Sequence, residues 1–186
     1  MLSPATLQIT GRVTSTQSSV IKIGGDNGGT AVTATLQSCK ADTNSAIYIA
    51  GPTTINMTNS DYAECVDCDV NGTFECDNNV TFNIKGNSDT VTAGFKAAAG
   101  SVIYIHGSAT TVKVSGKFSN ALFVLYRNGI GTILNSTLTG SQTAGAHYNV
   151  NWNSVFYVNS SVWTNISIPS SASDTVGTKG SNYVGA

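Results

Sequence analysis

The sequence predicts an all-β chain, and more specifically a right-handed parallel β-helix, or β-solenoid. Three observations carry that prediction. The first is composition: Ser, Thr, Asn and Gly fill about 83 of 186 positions, and only 10% of the residues are charged, against about 25% in a typical globular chain. Glu, Lys and Arg, which lose little freedom in helices, are scarce, whereas the β-branched residues that suit strands are common. The second is a repeated apolar-x-apolar-x-Gly unit, and no apolar stripe of helical period accompanies it. The third is a pair of near copies, SAIYIAG at 45–51 and SVIYIHG at 101–107, set 56 residues apart. Self-similarity of this kind points to stacked repeats of roughly 20 to 28 residues, two or three coils apart.

The elements follow in chain order. Leu7 and Ile9 precede Gly11, Ile21 and Ile23 precede Gly25, and Ile47 and Ile49 precede Gly51. Phe82 and Ile84 precede Gly86, Ile103 and Ile105 precede Gly107, and Val112 and Val114 precede Gly116. Shorter forms stand at Val70 with Gly72 and at Leu138 with Gly140. A strand sends alternate side chains to opposite faces, and glycine turns a tight corner without steric cost. The pattern reads as strand, corner, strand, corner. Its spacing is irregular, which suits a β-helix with corners of varied length; a β-sandwich of short antiparallel strands is the alternative.

Three regions are expected. Residues 1–30 hold short strands and a Gly-rich linker, GGDNGGT, whose one carboxylate makes it a turn rather than a calcium loop. Residues 31–163 form the β-helical body, and 164–186 form a cap or tail. Within the body, 61–79 carries three of four cysteines and six of ten acids. The stretch 146–163 alternates: Tyr148, Val150, Trp152, Ser154, Phe156 and Val158 fall on one face, with Asn149, Asn151, Asn153 and Tyr157 on the other. Trp152 is therefore expected in the core or at a subunit interface.

Several strands are apolar on both faces, among them Ile47–Tyr48–Ile49, Val102–Ile105 and Ala121–Tyr126. A coil has one interior side, so an apolar outer face calls for another chain. The simplest such assembly is a homotrimer. Nine scattered basic residues do not make a nucleic-acid surface. No run of ~20 apolar residues predicts membrane insertion, and MLSPATLQIT lacks the basic start and apolar core of a secretory signal.

The stretch 94–163 resembles the β-helical body and C-terminal part of bacteriophage tail-fibre and tailspike proteins. The residues that carry the likeness are GSVIYIHGS (100–108), SNALFVLYRNGIGTILNSTLTGS (119–141) with its ALF-x-x-x-RNG, and AHYNVNWNSVFYVNSS with its Y-x-V-x-x-NS, closed by SNYVGA. The resemblance implies a homotrimeric virion protein, assembled in the host cytoplasm and carried in the tail. It would be joined to other tail proteins, and its role would be fibre structure or recognition of a bacterial surface polysaccharide.

The same family often cleaves surface polysaccharide with two or three carboxylates on neighbouring coils. The candidates are Asp61, Glu64, Asp67, Asp69 and Asp89, with Glu75 and Asp77 in the same acidic stretch. No Arg or Lys lies between 41 and 84 to assist elimination, so a non-enzymatic role is expected, with a depolymerase as the alternative. Cys39, Cys65, Cys68 and Cys76 are a weak candidate zinc set, because only one pair has C-x-x-C spacing; buried thiols or a disulfide are the other readings. His106 and His147 have no nucleophile patterned beside them. No cofactor is called for. For glycan contact the sequence offers Tyr157 and Trp163 as exposed aromatics, and Asn149 and Asn151 as amides.

Overall fold

The computed structural model describes residues 4–24, 30–59, 61–87, 91–142, 146–159, 161–164 and 182–185. Strands follow one another in triplets. The first is β1 (Ala5–Gln8), β2 (Arg12–Ser15) and β3 (Val20–Ile23); the second is β4 (Val32–Leu36), β5 (Ser38–Asp42) and β6 (Ala46–Ile49). Next come β7 (Thr53–Met57), β8 (Glu64–Asp69) and β9 (Thr73–Cys76), then β10 (Val80–Gly86), β11 (Ala93–Ala98) and β12 (Val102–His106). β13 (Thr111–Gly116), β14 (Ala121–Tyr126) and β15 (Ile130–Leu134) precede β16 (Thr137–Gln142), β17 (Ala146–Val150) and β18 (Val155–Asn159), followed by β19 (Val162–Thr164) and β20 (Asn182–Gly185).

From β1 to β19 each strand pairs in parallel with the strand three places on, and β20 adds to β18. Three parallel sheets result, and the chain is a β-solenoid. We call them sheet A (β1-β4-β7-β10-β13-β16-β19), sheet B (β2-β5-β8-β11-β14-β17) and sheet C (β3-β6-β9-β12-β15-β18-β20). The parallel pairing replaces the sandwich alternative. The two near copies occupy one position two coils apart, because Ile47 pairs with Phe74 and Phe74 with Ile103.

Register stacks residues of one kind. The inner column of sheet A runs Ala34, Ile55, Phe82, Val112 and Leu138. Its outer neighbour runs Thr6, Thr33, Thr54, Thr81, Thr111 and Thr137. Threonine favours the pleated surface while keeping a hydroxyl for water. In the core the phenylalanines touch from coil to coil: Phe74–Phe82 at 5.7 Å, Phe82–Phe95 at 5.8 Å, Phe95–Phe123 stacked at 5.0 Å and Phe123–Phe156 at 5.0 Å between centroids.

Sheet B breaks strict alternation. Cys65 and Val66 both enter the core, as do Leu122 and Phe123, while Ala121 and Val124 group on the outside with Ala93 and Tyr126. The apolar run Ala121–Tyr126 is thus a bent strand that turns two successive side chains inward, with a smaller outer patch than continuous burial on both faces would give. In sheet C the alternation holds. Ile47, Ile49, Ile103 and Ile105 are buried, and Tyr48 and Tyr104 are half-buried on the outer face.

Between sheets B and C every coil makes the same corner. Two consecutive residues have positive φ: Gln17 and Ser18, Thr43 and Asn44, Val70 and Asn71, Ala99 and Gly100, Arg127 and Asn128, Trp152 and Asn153. Asn and Gly tolerate this left-handed region best, and they fill five of the six second positions. Backbone N–H groups link the corners, from Ser18 to Thr43 O, Asn44 to Val70 O, Asn71 to Ala99 O, Gly100 to Arg127 O and Asn128 to Trp152 O. The next residue is Ser or Gly. Ser45 Oγ donates to Ser15 O at 2.6 Å, and Ser101 Oγ donates to Cys68 O at 2.8 Å. At Gly129 a Cβ would lie 2.1 Å from Ala97 O and 2.7 Å from its carbon.

Gly129 has no positive φ requirement, so Gly129→Ala isolates this backbone contact. Overpacking of this kind costs about 1–3 kcal/mol. We expect the melting temperature to fall by roughly 2–4 °C per kcal/mol. Circular dichroism on heating checks this; an unchanged midpoint would show that the coils are looser at this corner.

Candidate functional site

The repeated corner sets the position of two side chains. Arg127 and Trp152 hold the first left-handed position on adjacent coils, so they stack. Arg127 Cζ lies 5.2 Å from the Trp152 ring centroid and 5.7 Å from that of Tyr126. The Tyr126 and Trp152 rings meet edge to face at 6.4 Å. Trp152 is 50% exposed. This removes the core placement from the sequence expectation: β17 ends at Val150, the corner interrupts the alternation, and Val150, Ser154, Phe156 and Val158 continue the buried face without Trp152.

Trp152 and Tyr126 form one wall of a cleft of about 340 Å³, whose other lining residues are Asn120, Val124, Asn149 and Asn151. The asparagines are chained. Asn151 Nδ2 donates to Asn149 Oδ1, and Asn149 Nδ2 donates to Asn120 Oδ1 at 3.0 Å. An amide has two donor hydrogens and two acceptor lone pairs, so the chain orients the three groups while using a fraction of their bonding capacity. An exposed aromatic ring beside fixed amides matches a sugar, which has apolar C–H faces and a rim of hydroxyls.

The other glycan candidates lie elsewhere. Tyr157 is half-buried on sheet C and its Oη accepts a hydrogen bond from Asn159 Nδ2 at 3.0 Å. Trp163 is on β19 in sheet A, in register with Leu138, and its side chain lies outside the described residues. Asn149 and Asn151 therefore share a cleft with each other and not with Tyr157.

The acidic stretch is divided. Asp89 lies outside the described residues, and Asp61 is exposed ahead of β8. Glu64, Asp67 and Asp69 are on β8, while Glu75 and Asp77 belong to sheet C. The cations missing from the local sequence come from adjacent coils. Register places Asp67 between Lys40 and Lys96. Lys96 Nζ lies 3.0 Å from Asp67 Oδ1 and 3.6 Å from Glu64 Oε1; Lys40 Nζ lies 3.7 Å from Asp67 Oδ2. Arg12 Nη2 lies 3.7 Å from Glu64 Oε2 and Arg12 Nη1 lies 4.0 Å from Asp67 Oδ2, while its guanidinium caps the Tyr62 ring at 4.3 Å. Asp67 is 3% exposed. Its Oδ1 has the Lys96 charge as partner rather than a well-directed hydrogen bond.

Burial acts to lower the Lys96 pKa, but the Asp67 charge and contact, with Glu64, outweigh it and hold the ammonium above its ordinary 10.5. A pKa raised by folding means stability that is complete at neutral pH and lost only as alkali removes the proton. For Asp42, slight desolvation acts upward, but Lys40, 3.2 Å away, holds the carboxyl below its ordinary 3.8. That contribution is lost as acid protonates the group.

On sheet C, His106 is held by two carboxylates. Its Nε2 lies 2.9 Å from Glu75 Oε1, its Nδ1 lies 3.5 Å from Asp77 Oδ1, and the ring stacks on Tyr104 at 4.2 Å. All four cysteines are free and buried. Burial pushes the Cys39 and Cys65 thiols up to about 12, and raises Cys68 and Cys76 as well. In this neutral state the thiols pack as small apolar groups in the core. Among the described residues no group of three or more His, Cys, Asp or Glu side chains is arranged to hold a metal ion.

Comparison with known proteins returned no match to any family model, curated protein or solved structure.

The Lys96–Asp67 pair is expected to be mutually dependent. Lys96→Met leaves a buried carboxylate short of one cation and should cost about 1–3 kcal/mol. Adding Asp67→Leu should recover much of that loss. Denaturant unfolding of the two single variants and the double variant gives the coupling; simple additivity would show that the pair contributes nothing.

Proposed function

We propose that the chain is a non-enzymatic, rod-like component of a bacteriophage tail fibre or tailspike that binds a bacterial surface glycan. The observation that carries this reading is the cleft at the Trp152 corner: a half-exposed indole beside three mutually oriented asparagine amides. The parallel solenoid and the resemblance of residues 94–163 to tail-fibre and tailspike proteins support it. In this reading the stacked coils supply a stiff shaft, and the cleft holds one sugar unit by stacking and amide hydrogen bonds. Binding without cleavage is favoured because Glu64 and Asp67 are matched by Arg12, Lys40 and Lys96. That arrangement fits a charge-balanced sheet face better than an acid and base flanking a glycosidic bond.

A homotrimer belongs to the same proposal. Sheet C carries Tyr48, Tyr104 and Tyr157 half-buried along its outer face. A second or third copy would cover such surface. Attachment to other tail proteins, and residence in the virion tail, follow from the resemblance.

Two measurements test the proposal. Mass photometry should give particles of three times 19.2 kDa; a stable monomer removes the trimer. Trp152 has φ 51°, so Trp152→Asn suits the backbone and removes only the ring. On an array of purified bacterial polysaccharides it should weaken binding roughly tenfold or more, equivalent to about 1.4 kcal/mol, with the melting temperature maintained. Equal binding by both proteins would place glycan contact away from this corner.

A further inference from the structure

We infer that the Trp152 cleft selects an acidic sugar unit, and that Arg127 reads its carboxylate. This rests on the glycan-binding reading above and names the class of ligand. The argument begins with the corner column. Its first left-handed position holds Gln17, Thr43, Val70 and Ala99 on the earlier coils, then Arg127 and Trp152. A charge enters this column only on the coil beside the cleft.

The second step is the charge balance of that surface. The cations of sheet B are matched: Arg12 with Glu64 and Asp67, Lys40 with Asp42 and Asp67, Lys96 with Glu64 and Asp67. Arg127 is exposed, and among the described residues no carboxylate lies within ion-pair distance of it. Its contacts are the faces of Tyr126 and Trp152. Among the described residues the cleft is lined by neutral side chains, with no acid to repel an anion.

The third step is guanidinium geometry. Arg127 Cζ lies within cation–π distance of two rings that cross at 79°, and the N–H donors in the guanidinium plane match a carboxylate in bidentate fashion. The ring contacts restrict the group before the ligand arrives, so less freedom is lost on binding. A uronic acid, or another sugar bearing a carboxylate, would place its ring against the exposed indole, its hydroxyls on the Asn120–Asn149–Asn151 chain and its carboxylate on Arg127. A neutral hexose would use the ring and the amides and leave the arginine idle.

The test uses the full chain and a panel of uronate-containing bacterial polysaccharides, each assayed as isolated and after chemical reduction of its carboxyl groups to alcohols. Wild-type protein should bind the acidic form roughly tenfold more tightly than the reduced form, and only the acidic form should be weakened by salt. Arg127→Gln should bind both forms as weakly as wild type binds the reduced one, Arg127→Lys should fall between, and Trp152→Asn should lose both. Melting curves confirm that each variant is folded. If carboxyl reduction and Arg127→Gln leave affinity unchanged while Trp152→Asn abolishes it, the acidic class is wrong and the glycan reading stands. If wild type binds no polysaccharide in either form, both readings fall.

Discussion

In-register parallel stacking is the constraint on which the rest of this structure depends. Each residue sits ~4.8 Å from its counterpart on the next coil, so whatever one coil places on a face the next coil meets directly. Like charges at that spacing repel by roughly 1 kcal/mol in water and 3–4 kcal/mol in a medium of dielectric constant near 20. Uncharged hydrogen-bonding side chains carry no such cost. A chain folded this way fills its outer columns with threonine, as from Thr6 to Thr137, and keeps charge to 10%. Charge stacks with alternating sign in Lys40–Asp67–Lys96, and the one like pair beside it, Asp42 on Asp69, has Lys40 3.2 Å from Asp42. The low charge content is thus a consequence of register rather than of burial on two faces.

The same constraint governs the corners. Because each corner donates a backbone N–H to the next, all six must share one conformation, and each coil accepts two left-handed residues. The structure meets that demand with Asn or Gly at the second position and with Ser or Gly immediately after. Ser serves where its hydroxyl reaches a carbonyl of the preceding coil; Gly serves where that carbonyl comes too close for a Cβ. The first corner position gives its carbonyl oxygen to this ladder, as Thr43, Val70, Ala99, Arg127 and Trp152 do, and that uses no side-chain atom. Its side chain projects outward, and it is there that Arg127 and Trp152 appear. Conserving the corner geometry through the column leaves one side chain per coil free to carry recognition.

Much of the fold was legible from short-range pattern. The apolar-x-apolar-x-Gly units identified the inward residues of sheets A and C, because those strands are straight and alternate strictly. The near copies at 45–51 and 101–107 indicated a separation of two or three coils, and the register makes it two. Sheet B was harder to read. Its strands bend, so Cys65 and Val66, or Leu122 and Phe123, both turn inward, and a period-two reading assigns one of each pair to the wrong face. The site was less legible for the same reason. Trp152 keeps step with Tyr148 and Val150 only if the strand continues past Val150, and two left-handed residues end it. Asn or Gly followed by Ser or Gly stands at this corner at 44–45, 71–72, 100–101, 128–129 and 153–154, but the same dipeptide also stands at 59–60, 107–108, 135–136 and 140–141, so it does not single out the corner.

The acids show why sequence distance misleads in a solenoid. Between 41 and 84 no basic residue is present, and a local reading leaves Glu64 and Asp67 without a counter-charge. The coil brings Arg12, Lys40 and Lys96 to them from 52, 27 and 29 positions away. In such a fold the neighbours that decide electrostatics are one or two coils away rather than nearby in sequence. The same reasoning applied at Arg127 gives the opposite result, since the counterpart on the coil before is Ala99 and on the coil after is Trp152. Among the described residues, stacking that neutralises charge on one part of the surface leaves Arg127 with no carboxylate within ion-pair distance at the corner. An unmatched, pre-oriented cation beside an exposed indole is a feature that the stability of the coil does not require.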